Sequence, residues 1–176
     1  MSDRRCSLPH TAASLQEPEA APLRAGCPTN NQAGEPVDSL TLKALLVRPL
    51  TELGRAEYRF CPDAACPTVY YSVDGLQTFA ESDLRERVYQ KHPRDADVLV
   101  CYCFRHSLGD ILQAVRTSGA KRLIASVRQG VKDHKCACDI RNPQGSCCLG
   151  NITSIAHHAT RGDGVDRKNH HSRRPT

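Results

Sequence analysis

Apolar positions follow no period over residues 1–36, which are rich in Ala, Pro, Glu and small polar side chains. That pattern predicts a segment without fixed structure, with folding starting near Val37. Ser39–Leu46 is apolar and short, and fits a helix or a strand equally well. From Tyr58 the pattern turns to β. Tyr58-Arg59-Phe60 leads into a loop between Cys61 and Cys66, then Thr68–Val73 is β-branched and aromatic. Asp74-Gly75 marks a turn before Leu76–Phe79, and the whole reads as a hairpin with the cysteine loop at one end. Glu81–Lys91 is polar and suits a short helix or a linker, and His92-Pro93-Arg94-Asp95 marks a boundary.

The period then becomes helical. Val98–Val100 is a short apolar run that ends in Cys101-Tyr102-Cys103. Ser107 is placed to cap a helix, with Asp110 three residues on. Leu108, Ile111, Leu112 and Val115 share one face, and Gly119 fits the stop. A second helix is predicted over 120–129, with Leu123, Ile124 and Val127 inward and Gly130 ending it. The stretch 136–148 reads as a loop turning at Asn142-Pro143-Gln144-Gly145, and a last helix runs from about Cys148 to His158. The fold class expected is α+β. A small β-hairpin module (37–92) precedes a mainly helical unit (96–158), flanked by a disordered N-terminal segment (1–36) and a basic disordered tail (159–176).

Composition sharpens this picture. Aromatics make up 5% of the 176 residues and Trp is absent, so a thin core needs staples. There are ten cysteines to provide them. The first residues hold Pro9, Pro18 and Pro22 and no apolar secretory region, and no stretch approaches the roughly 18–20 apolar residues of a membrane span. A cytoplasmic location is expected, without membrane insertion, where thiols stay reduced and bind metal more often than they pair. The net charge of +5 is concentrated in the tail, where residues 161–176 hold five basic residues against two acidic. The folded part is nearly balanced, so nucleic-acid binding is not indicated.

The second half places Cys101-x-Cys103 ahead of Cys136-x-Cys138 and Cys147-Cys148. A [2Fe–2S] cluster needs four thiolates. Cysteines at i and i+2 can reach one iron, and two intervening helices would return the chain to supply a second pair. The Asn-Pro-x-Gly turn would fold Cys138 back towards Cys147 and Cys148. Spacing alone leaves Cys136 and Cys147 as chemically equal candidates, and the same thiols could hold a structural zinc on four cysteines.

Val100-Cys101-Tyr102-Cys103-Phe104 and the run from Cys136 to Gly150 closely resemble the N-terminal domain of the CopZ family of copper chaperones. The two helices between them resemble the bacterioferritin-associated ferredoxin type of [2Fe–2S] unit. The resemblance spans roughly residues 37–152 and implies cluster ligands at Cys101, Cys103, Cys138 and Cys148, with Cys136 and Cys147 spare. Phe60-Cys61-Pro62-Asp63-Ala64-Ala65-Cys66 with Val69-Tyr70-Tyr71 resembles the same family's mononuclear zinc site. That implies Zn2+ held by Cys27, Cys61 and Cys66. Family members usually read Cys-x-x-Cys-Gly upstream, whereas here the run is Cys27-Pro28-Thr29-Asn30-Asn31, so Asn30 stands where a fourth thiolate is expected. Cys6, His10, water or nothing would take the fourth place.

The function expected is a metal-binding redox protein that transfers electrons, with a link to copper homeostasis and a redox or copper-trafficking protein as partner. The rival is a non-redox zinc-binding interaction module. Full-length CopZ chaperones carry a further copper domain with a Cys-x-x-Cys motif, which these residues lack, so copper delivery is not carried over. No base, oxyanion donor or substrate pocket is legible, and an enzyme is not expected. His157-His158 and His170-His171 read as solubilising surface, and His106 as a surface residue at a helix start.

Overall fold

The computed structural model describes residues 26–161. Its first unit is an antiparallel sheet in chain order: β1 (Glu35–Val37), β2 (Tyr58–Phe60), β3 (Thr68–Ser72) and β4 (Thr78–Ala80). Phe60 stands opposite Glu35 on one side and Tyr70 on the other. The sheet follows from the β-branched and aromatic run at 68–73 and the Asp74-Gly75 turn, where Gly75 takes a φ of 74°. Folded structure starts earlier than the aperiodic composition of residues 1–36 suggested. A bridge joins Gly26 to Ala33, and β1 borrows its register from β2 rather than from its own pattern.

The ambiguous segment is helix α1 (Ser39–Leu45). Asp38 decides it, because its carboxylate accepts the Leu40 N–H at 2.7 Å and supplies the cap that a strand would not use. Thr41, Leu42 and Leu45 are buried and Leu40 faces out. The first core joins Val37, Leu42, Leu45, Phe60, Tyr70, Phe79 and Val88. The polar stretch 81–91 holds two single 3-10 turns, Glu81–Asp83 and Tyr89–Lys91.

The second unit opens with the ribbon β5 (Leu99–Cys101) and β6 (His106–Ser107), followed by α2 (Leu108–Arg116), α3 (Ala120–Lys132), α4 (Cys138–Arg141) and α5 (Leu149–Arg161). Ser107 and Asp110 form the expected capping box: Ser107 Oγ accepts the Asp110 N–H, and the Asp110 carboxylate accepts the Ser107 N–H. Two glycines differ from expectation. Gly119 closes α2 through its N–H to the Ala114 carbonyl at 2.7 Å but has a φ of −91° and also caps α3, while Ser118 supplies the left-handed residue with a φ of 55°. Gly130 lies inside α3, not after it, because a Cβ there would run into the Phe104 ring. The need for ring packing against bare backbone outweighs the helix penalty of glycine. The expected loop 136–148 contains α4, and α5 extends into the first residues expected to be tail. Residues 162–176, with His170 and His171, lie outside the described residues, as do Cys6 and His10.

The two units share a seam. Helix α1 packs on α4, and Thr41 Oγ1 donates to the Asp139 carbonyl at 2.5 Å. The fully buried Tyr70 donates its hydroxyl to the Pro143 carbonyl at 2.6 Å. The Asn-Pro-x-Gly turn thus rests against the sheet, which is why its pattern read as loop while its position is fixed.

Candidate metal centres

The first centre is built from two tight turns. Asn31, with a φ of 63°, closes a turn in which its N–H donates to the Cys27 carbonyl at 2.8 Å. Asparagine tolerates that left-handed geometry better than most side chains. In the second turn Asp63 Oδ1 accepts the Ala65 N–H at 3.0 Å, which curls Cys66 back beside Cys61. The Sγ atoms of Cys27, Cys61 and Cys66 all lie within 4.8 Å of one another, and Cys27 and Cys66 are 3.8 Å apart. That separation matches the edge of a tetrahedron with metal–sulfur bonds of about 2.3 Å. All three thiols are buried, with the fully buried Tyr71 beside them.

The electrostatics of the three thiols differ. Burial pushes the Cys27 thiol up, but N–H groups of Thr29 and Asn30 outweigh it and leave the group below its usual value. Burial raises Cys61 to about 11, against the Asp63 N–H and the Lys91 charge. Lys91 straps the loop by donating to the carbonyls of Asp63, at 2.7 Å, and Cys66, at 2.9 Å. Sequence reading missed Lys91. It ends a polar run that also holds Arg85 and Arg87, 25 positions after Cys66, so nothing in the sequence singled it out.

Asn30 stands at the remaining corner. Its Nδ2 donates to Asp63 Oδ2 at 2.7 Å and approaches Cys61 Sγ at 3.8 Å, while its Oδ1 accepts the Gln32 N–H at 3.1 Å. The described residues therefore supply three of the four ligands a tetrahedral zinc takes, with the Asn30 amide donor beside Cys61.

The second centre gathers three segments: the end of β5 with the residue two beyond it, the start of α4, and the residue before α5. Cys103 Sγ lies 3.8 Å from Cys138 Sγ. Cys148 meets both Cys101 and Cys138 through its thiol. Thiol contacts thus run Cys101–Cys148–Cys138–Cys103. Each member of the early pair is met by one thiol from the later segment, and the second core surrounds all four. The Cys148 thiol and then its N–H drive Cys138 down to about 5 in spite of burial. The Cys148 thiol also lowers Cys101 to about 7, helped by the N–H groups of Phe104 and Cys103. Cys148, which gives those hydrogen bonds, is pushed up. Burial raises Cys103 to about 11, although the Ala137 N–H lies 3.3 Å from its sulfur.

Of the two remaining thiols, Cys147 is exposed and Cys136 is partly exposed, and both interact with Cys138 at the rim. No described cysteine is in a disulfide. Among the described residues no helix is long and apolar enough to cross a membrane.

Comparison with known proteins bears on the first centre and on the fold. Residues 24–85 match the family zf_CopZ, described as a zinc binding domain. The X-ray structure of the Archaeoglobus fulgidus CopZ N-terminal domain is similar over 74% of this chain and 96% of that one, at 27% identity and a TM-score of 0.62. No curated protein matches. The mixed α+β class holds, and the sequence of residues 24–85 is similar to the CopZ zinc binding domain, with a cysteine cluster that suits zinc or a similar metal.

Proposed function

From a CopZ-like metal-binding domain joined to a second thiol centre, we propose a redox metalloprotein that carries a [2Fe–2S] cluster on Cys101, Cys103, Cys138 and Cys148. The observation that supports this most is the gathering of the four cysteines from three separate segments into one apolar core, with Cys103 Sγ 3.8 Å from Cys138 Sγ. Two of these thiols are already drawn towards the thiolate form, which iron requires.

When bound, the cluster would supply one-electron transfer. The chain's own residues set its conditions. Cys101 and Cys148 are almost wholly buried and Cys138 nearly so, while Cys103 is the least covered of the four. Electron exchange with a partner protein therefore runs through the Cys103 corner. The Ala137 N–H beside Cys103 Sγ and the Phe104 N–H at Cys101 stabilise negative charge on sulfur, which raises a cluster's potential. The function is electron delivery within metal handling, copper included, in the cytoplasm, and no turnover is assigned to the chain.

The rival is a structural zinc at the second centre, since a sulfur separation of 3.8 Å also suits a zinc tetrahedron. Anaerobic purification separates the two. The proposal expects a coloured protein whose reduced form gives the paramagnetic signal of a one-electron-reduced binuclear cluster. A colourless protein that stays silent after reduction would establish the zinc reading instead.

A further inference from the structure

The fourth corner of the first centre is the most informative departure in the molecule. A side-chain amide coordinates a metal through oxygen, and here that oxygen is engaged by the Gln32 N–H. Turning the amide over would set Nδ2 against the Gln32 N–H and Oδ1 against the Asp63 carboxylate, replacing two hydrogen bonds with two repulsions. Asn30 is thus locked with its N–H2 towards Asp63 and the Cys61 sulfur. It donates and does not ligate. Water is a poor substitute, because Cys27 and Cys61 are fully buried and Cys66 is 4% exposed.

Among the described residues, a divalent zinc on these three thiolates finds no fourth ligand. A soft monovalent cation needs none: thiolates select Cu(I), which is complete on two or three sulfurs. We propose that Cys27, Cys61 and Cys66 form a three-thiolate site matched to a soft, three-coordinate cation, with Cu(I) as the occupant, and that Asn30 closes the fourth corner as a hydrogen-bond donor to sulfur. The donor has a second effect. Three thiolates around one positive charge leave the site anionic, and the Asn30 amide and the nearby Lys91 ammonium both offset that charge inside a buried pocket. The site's selectivity is then written in one residue.

The inference rests on the reading that this centre binds metal, and the two are tested apart. Zinc and Cu(I) affinities are measured anaerobically on the full chain and on Asn30→Cys, Asn30→Ala and Cys27→Ser. Only residue 30 differs among the first three, so their differences report on this centre whatever the second one holds. Asn30→Cys is expected to tighten zinc by about 100-fold or more and to change Cu(I) by less than about tenfold. Asn30→Ala, which removes the donor and adds no ligand, is expected to leave zinc unimproved and to weaken Cu(I) by up to about tenfold. Equal zinc tightening by Asn30→Ala, or none by Asn30→Cys, would overturn the three-ligand site. If Cys27→Ser lost no metal equivalent relative to the unsubstituted chain, metal binding at the centre would itself be wrong.

Discussion

Cys138→Ala is expected to strip the second centre of iron altogether, while Cys136→Ala, two residues away, is expected to leave iron and sulfide at their original stoichiometry. Sequence spacing treats these residues alike. The structure separates them by position and by charge. Cys138 opens α4, is buried, and touches both Cys103 and Cys148, so it links the two halves of the thiol set. It is also the thiol drawn lowest, to about 5, by the Cys148 thiol and N–H. Removing it leaves Cys103 without its sulfur neighbour at 3.8 Å. Cys136 sits partly exposed at the rim, outside the buried set that Cys101, Cys138 and Cys148 form. Cys147→Ala should behave like Cys136→Ala. Iron and acid-labile sulfide per chain, read with the visible spectrum, decide the matter. A Cys136 variant that lost its iron would move the ligand set and redraw the centre.

The second large effect lies away from both metals. Gly145→Ala is expected to destabilise the protein by about 2–4 kcal/mol, combining left-handed backbone strain with a clash. Gly145 has a φ of +67°, and an added Cβ would lie 2.8 Å from Val37 Cγ2. That methyl belongs to a β-branched side chain at the end of β1 and has few rotamers in which to retreat. The strain therefore falls on the seam, where Tyr70 holds Pro143 and Thr41 holds Asp139. A urea titration should show a lower midpoint with little change in slope. A loss below about 0.5 kcal/mol would mean that the turn and the sheet do not constrain each other.

The helices of the second unit were legible because their signals are local. Ser107 and Asp110 sit three residues apart, and Leu108, Ile111 and Val115 return to one face within two turns. The errors lie where tertiary contact overrides local preference. Gly130 looks like a stop until the Phe104 ring is seen against it. Residues 26–37 look structureless because neither the Cys27 turn nor β1 carries a pattern of its own; they are held by β2 and by the thiol cluster. The same division applies to the centres. Cys61 and Cys66 stand out as a pair in a loop, and Cys27 required a family pattern. The Asn30 lock depends on Gln32 and Asp63, whose roles no spacing discloses. Cys101 and Cys103 announce themselves. Their meeting with Cys148 and Cys138 depends on how α2 and α3 return the chain, and on a turn anchored to a different unit.

Iron, acid-labile sulfide and zinc counted per chain on anaerobically purified protein decide whether the second centre holds a cluster. About two irons and two sulfides per chain are expected, the content of one [2Fe–2S] cluster on four cysteines. Zinc alone, with no iron or sulfide before or after anaerobic reconstitution, would contradict the cluster assignment.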